Sequence, residues 1–267
     1  MKIVLLNTFE SGGGAAIACK RLQEALNANG AEARMLVRTK TSIDPMTAGM
    51  PPRTGKFRFL RERLGIFCRN GFSKRNLFAL STADTGFDLS RHPWVQEADI
   101  IHLHWINQGF LSLQDIQKLI AMGKPVVWTL HDMWPVTAIC HHAERCERYT
   151  VGCGECPKLN RPFPRDLSYR VGERKRFLNE SGIHLVPVSR WLEERARRSI
   201  FTGRLASTVI PNTLDTELFR IIDREAARQK LGLAPDDRVI VCGAAKLNDP
   251  IKGFPMLRTA LGILTER

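Results

Sequence analysis

The fold is decided at the stretch Val209-Ile210-Pro211-Asn212-Thr213-Leu214-Asp215-Thr216-Glu217-Leu218-Phe219. Its β-branched pair, Val209-Ile210, is typical of the end of a strand, and Pro211 cannot continue a hydrogen-bonded ladder because it has no N–H. Asn212 and Asp215 favour turns. The stretch therefore predicts a hinge between two α/β domains.

On both sides of this hinge, short apolar runs rich in β-branched residues alternate with segments of helical period. Strands are predicted at residues 2–7, 34–37, 100–104, 126–130, 183–188, 208–210 and 238–242, and helices at 16–29, 113–122, 170–181 and 191–199. Near-continuous apolar strands separated by helices are typical of a parallel sheet covered on both faces. The predicted fold class is α/β, with a Rossmann-like parallel sheet.

The hinge divides the chain unequally. We expect an N-terminal Rossmann-like domain at residues 1–210 with a cysteine-rich loop at 134–159, a linker at 211–237, and the start of a second domain at 238–267. A Rossmann-like domain needs several βαβ units, whereas the last segment supplies only a strand, a loop and a helix. The second Rossmann-like domain is therefore expected to be incomplete.

Composition limits the class of protein. With 267 residues, 43% of them hydrophobic, the chain can form a sizeable core. The N-terminal apolar run is too short for a signal peptide, and no run is long enough to cross a bilayer, which predicts a cytoplasmic location. Forty Lys and Arg against 27 Asp and Glu give a net charge of +13. This excess favours anionic partners such as phosphorylated substrates, an anionic membrane or nucleic acid.

Three glycines, Gly12-Gly13-Gly14, follow the first predicted strand and open a helix. Glycine lets backbone N–H groups approach an anion closely, and the helix N-terminus adds partial positive charge. These glycines are predicted to contact a phosphate, and a simple tight turn is the alternative interpretation. Binding of NADP is a weaker alternative, because Ile17 stands where the dinucleotide fingerprint has its third glycine, although Arg38-Thr39-Lys40 could meet an extra phosphate.

Histidines stand at the ends of two predicted strands. His102 and His104 share one side of the strand and are expected to line a cleft, with metal binding as the less common alternative. His131-Asp132 follows the strand at 126–130, at the edge where open α/β sheets bind ligands. This pair is predicted to contact substrate and to act in catalysis. The alternative is that His131 ends the strand and Asp132 caps the next turn.

Four cysteines, Cys140, Cys146, Cys153 and Cys156, lie within 17 residues. The Cys153-Gly154-Glu155-Cys156 spacing lets two thiolates turn toward one ion. With no secretion signal, disulfides are disfavoured. We therefore predict a structural zinc ion that pins the loop 134–159 and does no chemistry. His141 or His142 could replace a cysteine, and bridges or free thiols are the alternatives.

Residues 53–76 carry eight basic residues and one acid, Glu62. Apolar residues recur there at helical spacing and form a stripe: Phe57, Leu60, Leu64 and Phe67. Such a helix can lie on an anionic membrane surface, or it can pack its stripe on the domain. Because no nucleic-acid-binding motif accompanies the charge, a nucleic acid is not the expected partner.

Beyond the hinge, a strand leads to Lys246, and Lys252-Gly253 stands where a helix begins. Two lysines around a strand-to-helix turn can neutralise a diphosphate, which gathers negative charge as a leaving group. Two exposed lysines without a ligand are the alternative.

The glycine turn, the histidine strand, His131-Asp132, Pro187-Val188-Ser189-Arg190-Trp191, the hinge and Lys252-Gly253 appear in the order seen in family-four glycosyltransferases of the two-domain GT-B fold. The chain resembles members with a cysteine-rich loop, which are bacterial enzymes of surface-polysaccharide assembly. The resemblance implies transfer of a sugar from a nucleotide-sugar donor to a glycan or lipid-linked acceptor, with retained anomeric configuration and without a catalytic metal. The acceptor is then expected on the first domain, at the inner face of the cytoplasmic membrane.

The same resemblance assigns roles to residues. His131 is the cleft histidine, Gly13 and Gly14 approach the donor phosphate or the acceptor, and Lys246 and Lys252 hold the diphosphate. The family usually has arginine where Lys246 stands, and lysine keeps the charge but loses bidentate geometry. The family's glutamate pair should lie beyond Arg267, so this chain alone is expected to turn over donor poorly. A non-catalytic zinc-stabilised binding module and an NADP-dependent oxidoreductase are the alternative functions.

Overall fold

The computed structural model describes residues 1–244, 247 and 249–265. Its strands are β1 (Lys2–Phe9), β2 (Glu32–Thr39), β3 (Thr47–Gly49), β4 (Ile100–Leu103), β5 (Val126–Leu130) and β6 (His184–Pro187). They form one parallel sheet in the order β3-β2-β1-β4-β5-β6. This confirms the predicted α/β class with a Rossmann-like parallel sheet.

Helices connect the strands and continue beyond them. They are α1 (Gly14–Ala28), α2 (Pro52–Arg69), α3 (Pro93–Glu97), α4 (Leu113–Ile120), α5 (Leu167–Lys175), α6 (Arg190–Arg198), α7 (Arg224–Leu231) and α8 (Phe254–Thr265). Short 3₁₀ turns lie at Trp134–Val136, Arg148–Thr150, Arg176–Glu180 and Pro250–Lys252. No helix in the described part of the chain is long and apolar enough to span a membrane.

Polar side chains fix where several helices begin. The Ser112 hydroxyl accepts from the Asp115 N–H at 3.1 Å, and the Asp115 carboxylate accepts from the Ser112 N–H at 2.9 Å, so α4 begins with a capping box. Asp166 accepts from the Ser168 N–H at 2.9 Å at the start of α5, and Ser189 accepts from the Leu192 N–H at 3.3 Å at the start of α6. These caps satisfy backbone donors that a helix leaves unpaired in its first turn.

The sheet separates two apolar clusters. Ile3 and Leu5 point to one face, where they pack with Cys19 of α1. Leu103 and Trp128, paired across β4 and β5, point to the other face and belong to the larger cluster. Because strand side chains alternate between faces, this register places the apolar residues of each strand in the core on both sides.

Two predicted strands are not formed. Residues 208–210 run beside β6, where the Thr208 N–H donates to the Leu185 oxygen at 3.0 Å and the Ile210 N–H donates to the Pro187 oxygen at 3.2 Å, but the pairing stays an isolated bridge. Residues 238–242 are exposed and form no strand. Their β-branched residues gave the strand pattern, but no neighbouring strand pairs with them in the described residues. The short edge strand β3 was missed.

The chain divides into two compact units, Met1–Asp215 and Thr216–Arg267. The first contains the whole sheet. The second contains α7, which Asp223 caps by accepting from the Ala226 N–H at 2.8 Å, and α8. The domain limits inferred from the sequence, 1–210, 211–237 and 238–267, stay predictions, as does the incomplete second Rossmann-like domain.

Candidate active site

The strand order places a crevice at the carboxyl ends of β1 and β4. From β1 the chain moves outward through β2 to β3, whereas from β4 it moves the other way to β5 and β6. The loops that leave β1 and β4 therefore diverge, and open α/β sheets bind ligands at such a switch point. The predicted glycine turn and His131-Asp132 both lie at this edge of the sheet.

The glycine turn leaves β1 and opens α1. Gly12 has a φ of 85°, which favours glycine, whereas Gly13 is extended with a φ of 172°. A Cβ at Gly13 or Gly14 would meet nothing within 4 Å, and no side chain caps the N-terminus of α1. The contacts within the chain therefore do not require glycine at Gly13 or Gly14, and the first turn of α1 is open to an approaching group. Phosphate contact at this turn stays a prediction.

Glu10, which the sequence analysis missed, fixes the loop after β1 to the loop after β2. Its buried carboxylate accepts from the Ser42 N–H at 2.8 Å and from the Thr41 hydroxyl at 3.1 Å. Burial acts to raise the pKa of Glu10, but these hydrogen bonds outweigh it and lower the pKa. The Glu10 carboxylate thus stabilises the loop that precedes the glycine turn.

Asp132 is the centre of a buried hydrogen-bond network. Its carboxylate accepts from the Trp105 indole Nε1 at 2.7 Å, from the Trp134 N–H at 2.8 Å and from His141 Nδ1 at 2.6 Å. Burial acts to raise the pKa of Asp132. The charge and hydrogen bond of His141, together with the hydrogen bonds from the Trp134 N–H and the Trp105 indole, outweigh burial and lower the pKa. Asp132 does not pair with its neighbour His131.

Three histidines meet on one face of β4 and β5. His104 Nδ1 lies 3.0 Å from His131 Nε2, His102 Nε2 lies 2.8 Å from Thr129 Oγ1, and the rings of His102 and His104 are 4.5 Å apart. Burial lowers the pKa of His102 and of His131 to about 4 and that of His104 well below its usual value. All three are therefore neutral at pH 7. His131 is not among the residues that line the neighbouring cavity, and its contact with a substrate stays a prediction.

The cleft expected beside His102 and His104 takes the form of a cavity of about 290 Å³ along this face of the sheet. Apolar residues from the strands and from α1 line it, together with residues 210–213. One ring nitrogen of each histidine is engaged by Thr129 or His131. Within the described residues the two histidines belong to no group of three or more metal-ligating side chains, so their metal role stays a prediction.

A second pocket, of about 530 Å³, lies where β2 ends and α2 begins. Its cations are Arg38, Lys40 and Lys56, and none of these forms a salt bridge within the described part of the chain. The Arg38 guanidinium donates to the Gln108 oxygen and stacks 4.9 Å from the Phe9 ring. The pocket is therefore a cationic recess beside the crevice.

The four predicted zinc ligands line a common cavity of about 20 Å³: Cys140, Cys146, Cys153 and Cys156. No group of three or more His, Cys, Asp or Glu side chains in residues 1–244, 247 and 249–265 forms a ready-made metal-binding set, so structural zinc stays a prediction. The suggestion that His141 replaces a cysteine is wrong. Its Nδ1 contacts Asp132, and its Nε2 lies 3.0 Å from the Ser81 hydroxyl, so both ring nitrogens are engaged.

The basic helix α2 turns its apolar stripe outward. Phe57, Leu60 and Leu64 are 65%, 51% and 60% exposed and line a groove of about 640 Å³. The buried face instead holds the ion pair between Glu62 and Arg63, 3.0 Å apart. The alternative in which the stripe packs on the domain is therefore wrong for these three residues.

The backbone of α2 packs closely on the loop after β4. A Cβ on Gly109, which has a φ of 79°, would come within 2.7 Å of the Phe59 nitrogen and 2.8 Å of the Arg58 carbonyl carbon. Only glycine admits this approach. The contact fixes α2 to the loop that leaves the crevice.

In the second unit, Lys252 closes the turn Pro250–Lys252, where its N–H donates to the Asp249 oxygen at 2.9 Å. Gly253, with a φ of 69°, leads into α8. Lys246 lies outside the described residues. The diphosphate role assigned to Lys246, Lys252 and Gly253 stays a prediction.

The fold and the crevice together define a doubly wound α/β chain of the kind that binds ligands at the carboxyl edge of its sheet. The sequence model of Glycosyltransferase Family 4 matches residues 12–218. The chain belongs to this family, as its sequence motifs predicted.

The chain is also similar to two named proteins. It is 33% identical over 87 residues to the "Putative colanic acid biosynthesis glycosyl transferase WcaC" of Escherichia coli (strain K12), a match that covers 30% of this chain and 22% of that protein. It is similar to sucrose-phosphate synthase from Thermosynechococcus elongatus with a TM-score of 0.44 and 16% identity, over 88% of this chain and 54% of that chain. The matches thus span about a fifth and about half of the two proteins' own lengths.

Proposed function

We propose that the protein transfers a sugar from a nucleotide-sugar donor to a glycan or lipid-linked acceptor, with retention of anomeric configuration, in the assembly of a surface polysaccharide. The observation that carries this proposal is the family match over residues 12–218, a span that includes the glycine turn, the three histidines and Asp132. The name of the WcaC relative supports the polysaccharide context.

Within the crevice, Gly13 and Gly14 provide the open first turn of α1, whose N–H groups favour an anionic oxygen. His131 presents its Nδ1 to a substrate hydroxyl as a neutral imidazole. Asp132 acts as a positioning residue, because its carboxylate already accepts from three donors. Lys246 and Lys252 are proposed to neutralise the leaving diphosphate.

The cationic recess favours an acceptor that carries a phosphate or diphosphate. Arg38, Lys40 and Lys56 lack carboxylate partners within 4 Å in the described part of the chain, and an anion there would gain charge-assisted hydrogen bonds. Lys40 already donates to the Asp44 and Thr47 oxygens at 2.7 Å, so Arg38 and Lys56 are the freer donors. A lipid-linked acceptor supplies such a phosphate next to its first sugar.

The outward stripe of α2 is proposed to bind an anionic membrane surface. Each exposed Phe or Leu side chain that leaves water contributes about 1.5–3 kcal/mol, and each basic residue near an anionic surface adds about 1 kcal/mol. Arg61 and Lys74 line the same groove as Phe57 and Leu64, so the apolar and cationic groups face one way. This charge pattern supports binding to an anionic bilayer, and such binding would bring the recess close to a lipid-linked acceptor.

Transfer is tested by incubating the chain, and a longer chain that contains it, with a panel of radiolabelled nucleotide sugars and a phosphate-bearing lipid acceptor. Label should enter the lipid fraction, nuclear magnetic resonance should show that the anomeric configuration of the donor is kept, and His131→Asn should reduce transfer at least tenfold. His184→Asn, which changes a surface histidine 2.9 Å from the Thr208 hydroxyl, is the matched control. Failure of every nucleotide sugar in the longer chain would refute the proposed activity.

Membrane binding is tested by sedimentation with vesicles of phosphatidylglycerol and phosphatidylcholine. The double variant Phe57→Ser, Leu64→Ser should lose binding at least tenfold, whereas Val151→Ser, which changes an apolar side chain that is 82% exposed elsewhere on the first unit, should not. Arg61→Gln with Lys74→Gln should weaken binding only to anionic vesicles. Equal binding of all variants would exclude α2 as the membrane surface.

A further inference from the structure

Four neighbouring strands end in a row of cationic, aromatic and acidic side chains. In the sheet order β2-β1-β4-β5, the row consists of Arg38 at the end of β2, Phe9 at the end of β1, Trp105 after β4 and Asp132 after β5. Neighbouring strands lie about 4.8 Å apart, so the row runs for about 14 Å along the carboxyl edge of the sheet. Its middle, at β1 and β4, is the switch point where open α/β sheets bind ligands.

The two aromatic residues of this row form one surface. The Phe9 and Trp105 rings stack with their centres 6.0 Å apart and their planes inclined by 21°. Both residues are partly exposed. The indole N–H of Trp105 donates to the Asp132 carboxylate at 2.7 Å, which fixes the orientation of this ring. We call the exposed part of the two rings the aromatic surface.

A buried asparagine holds the two aromatic residues together. Asn7 is 1% exposed, its Oδ1 accepts from the Trp105 N–H at 2.9 Å, and its Nδ2 donates to the Phe9 oxygen at 2.6 Å. The Thr8 N–H also donates to the Trp105 oxygen, at 2.7 Å. The backbone segments that carry the rings are therefore fixed to each other. A ligand would meet a preformed surface, which lowers the entropic cost of binding.

The aromatic surface adjoins the cationic recess. The Arg38 guanidinium, which lines the recess, lies 4.9 Å from the Phe9 ring and 5.3 Å from the Phe59 ring. These two aromatic neighbours hold the planar cation in place. Phe9 thus contacts both Trp105 and the cation that is proposed to bind a phosphate.

We propose that the aromatic surface binds the sugar ring bonded to the phosphate of the acceptor, an inference that rests on the proposed binding of this phosphate by Arg38 and Lys56. The C–H bonds on one face of a pyranose are weakly positive, and they pack against the negative face of an aromatic ring. The same contact removes apolar surface from water. The ligand class is a hexose 1-phosphate or its ester with a lipid.

The contact between Phe9 and Arg38 favours this ligand over a nucleotide. In a glycosyl phosphate a single oxygen joins the sugar ring to the phosphorus, so the ring lies directly beside the phosphate. In a nucleotide the ribose would take this place, and the base would lie farther away. A sugar on the aromatic surface presents the hydroxyls remote from its phosphate toward the end of β5, where His131 and Asp132 lie.

Binding is tested without any donor, by ligand-observed nuclear magnetic resonance titration with inorganic phosphate and with the 1-phosphates of glucose, galactose and mannose. The wild-type chain should prefer at least one hexose 1-phosphate over inorganic phosphate by about tenfold. Saturation transfer should be strongest at the C–H protons of one face of the bound sugar. A wild-type chain without this preference would overturn the proposal, whatever the variants do.

The variant Trp105→Leu keeps an apolar side chain but removes the ring. It should abolish the preference for the hexose 1-phosphate while inorganic phosphate binds within about twofold of wild type. Phe9→Leu should also abolish the preference, whereas Phe9→Tyr, which keeps the ring, should retain it. Trp94→Leu is the matched control, because Trp94 is a partly exposed tryptophan on α3 with the Arg34 guanidinium 5.2 Å from its ring. A preference that survives in both leucine variants of the aromatic surface would show that the sugar binds elsewhere.

Uridine and adenosine 5′-monophosphates test the other occupant of the aromatic surface. If Trp105→Leu weakened binding of these nucleotides and left the hexose 1-phosphates unchanged, the surface would bind a base and the proposal would be wrong. If the wild-type chain transferred sugar but lacked the preference, the proposed function would stand and the aromatic surface alone would fail. A preference without transfer would support the surface and count against the activity, so the two failures are distinguishable.

Discussion

The substitution Asp132→Asn tests whether one carboxylate organises the crevice. The carboxylate accepts from three donors, the Trp105 indole at 2.7 Å, the Trp134 N–H at 2.8 Å and His141 at 2.6 Å. Asparagine keeps the shape but retains one acceptor oxygen, and its NH₂ group faces a donor where the second oxygen was. At least one buried donor therefore loses its partner.

The expected magnitude follows from those contacts. A hydrogen bond to a charged acceptor contributes about 1.5–3 kcal/mol, and a buried donor left without a partner costs about 1–3 kcal/mol. Both figures describe the same lost contact, so we expect Asp132→Asn to lower the free energy of unfolding by about 2–3 kcal/mol. Because domains of ordinary stability have about 5–15 kcal/mol in total, the variant should fold at 25 °C but with a clearly lower melting temperature.

The measurement is urea unfolding at pH 7.5, followed by circular dichroism and by tryptophan fluorescence, since Trp105 and Trp134 both contact Asp132. Glu180→Gln is the matched control: its carboxylate lies 3.6 Å from Arg204 and both side chains are exposed, so its change should stay within about 1 kcal/mol. A loss below 1 kcal/mol in Asp132→Asn would refute the view that this carboxylate holds the edge of the sheet.

Three further outcomes are expected. Burial lowers the pKa values of His102 and His131 to about 4. Their contribution to stability is therefore complete above the unfolded pKa of about 6.5 and is lost as pH falls toward 4, by about 2 kcal/mol for each histidine at pH 5. Urea titrations at pH 7.5 and pH 5 should show this loss, and a pH-independent midpoint would contradict it. Glu62→Ala leaves the Arg63 guanidinium buried without its carboxylate and removes the acceptor of the Thr82 and Ala83 N–H groups. The free energy of unfolding should fall by about 3–5 kcal/mol in the same assay. A fall of under 1 kcal/mol would show that the pair is dispensable. Gly86→Ala places a Cβ 2.1 Å from the Ser112 nitrogen at the cap of α4 and should yield insoluble or strongly destabilised protein, whereas Gly243→Ala meets nothing within 4 Å and should be neutral in thermal unfolding.

The sequence predicted the sheet well where strands are buried on both faces. Five strands stand out as apolar runs because a parallel sheet covered by helices leaves little polar alternation. β3 has only three residues, Thr47–Gly49, at the sheet edge, which is too short for a pattern. Residues 238–242 have the opposite problem, since their β-branched composition favours a strand but strand formation also needs a partner to pair with.

At the candidate site, the sequence located the edge of the sheet where the site lies, but not the residues that hydrogen-bond to His131 and Asp132. His131 and Asp132 directly follow a buried strand, so the sequence predicts that they lie at the carboxyl edge of the sheet. The groups that engage them, Trp105 and His104, lie 27 positions away and are brought close only by the pairing of β4 with β5. Glu10 could have been found by its position directly after β1, where a polar residue ends a buried strand.

Helix α2 shows a different limit of sequence reasoning. Its spacing shows that Phe57, Leu60 and Leu64 share a face, but periodicity does not say whether that face meets the protein or the surroundings. The buried face holds Glu62 and Arg63, which form an ion pair with each other and hydrogen bonds with backbone groups. Charged residues thus occupy the inner side because they pair there, and the apolar side is left outside.

Under the proposed binding of α2 to a membrane, the close approach of α2 to Gly109 has a geometric consequence. Because the α2 backbone contacts the backbone at Gly109 without an intervening side chain, this contact fixes the distance between the outward stripe of α2 and the mouth of the crevice. An acceptor anchored in the same bilayer would then be selected by the height of its acceptor sugar above the lipid headgroups. Glycans too short or too long to reach that height would not be substrates, whatever their sugars.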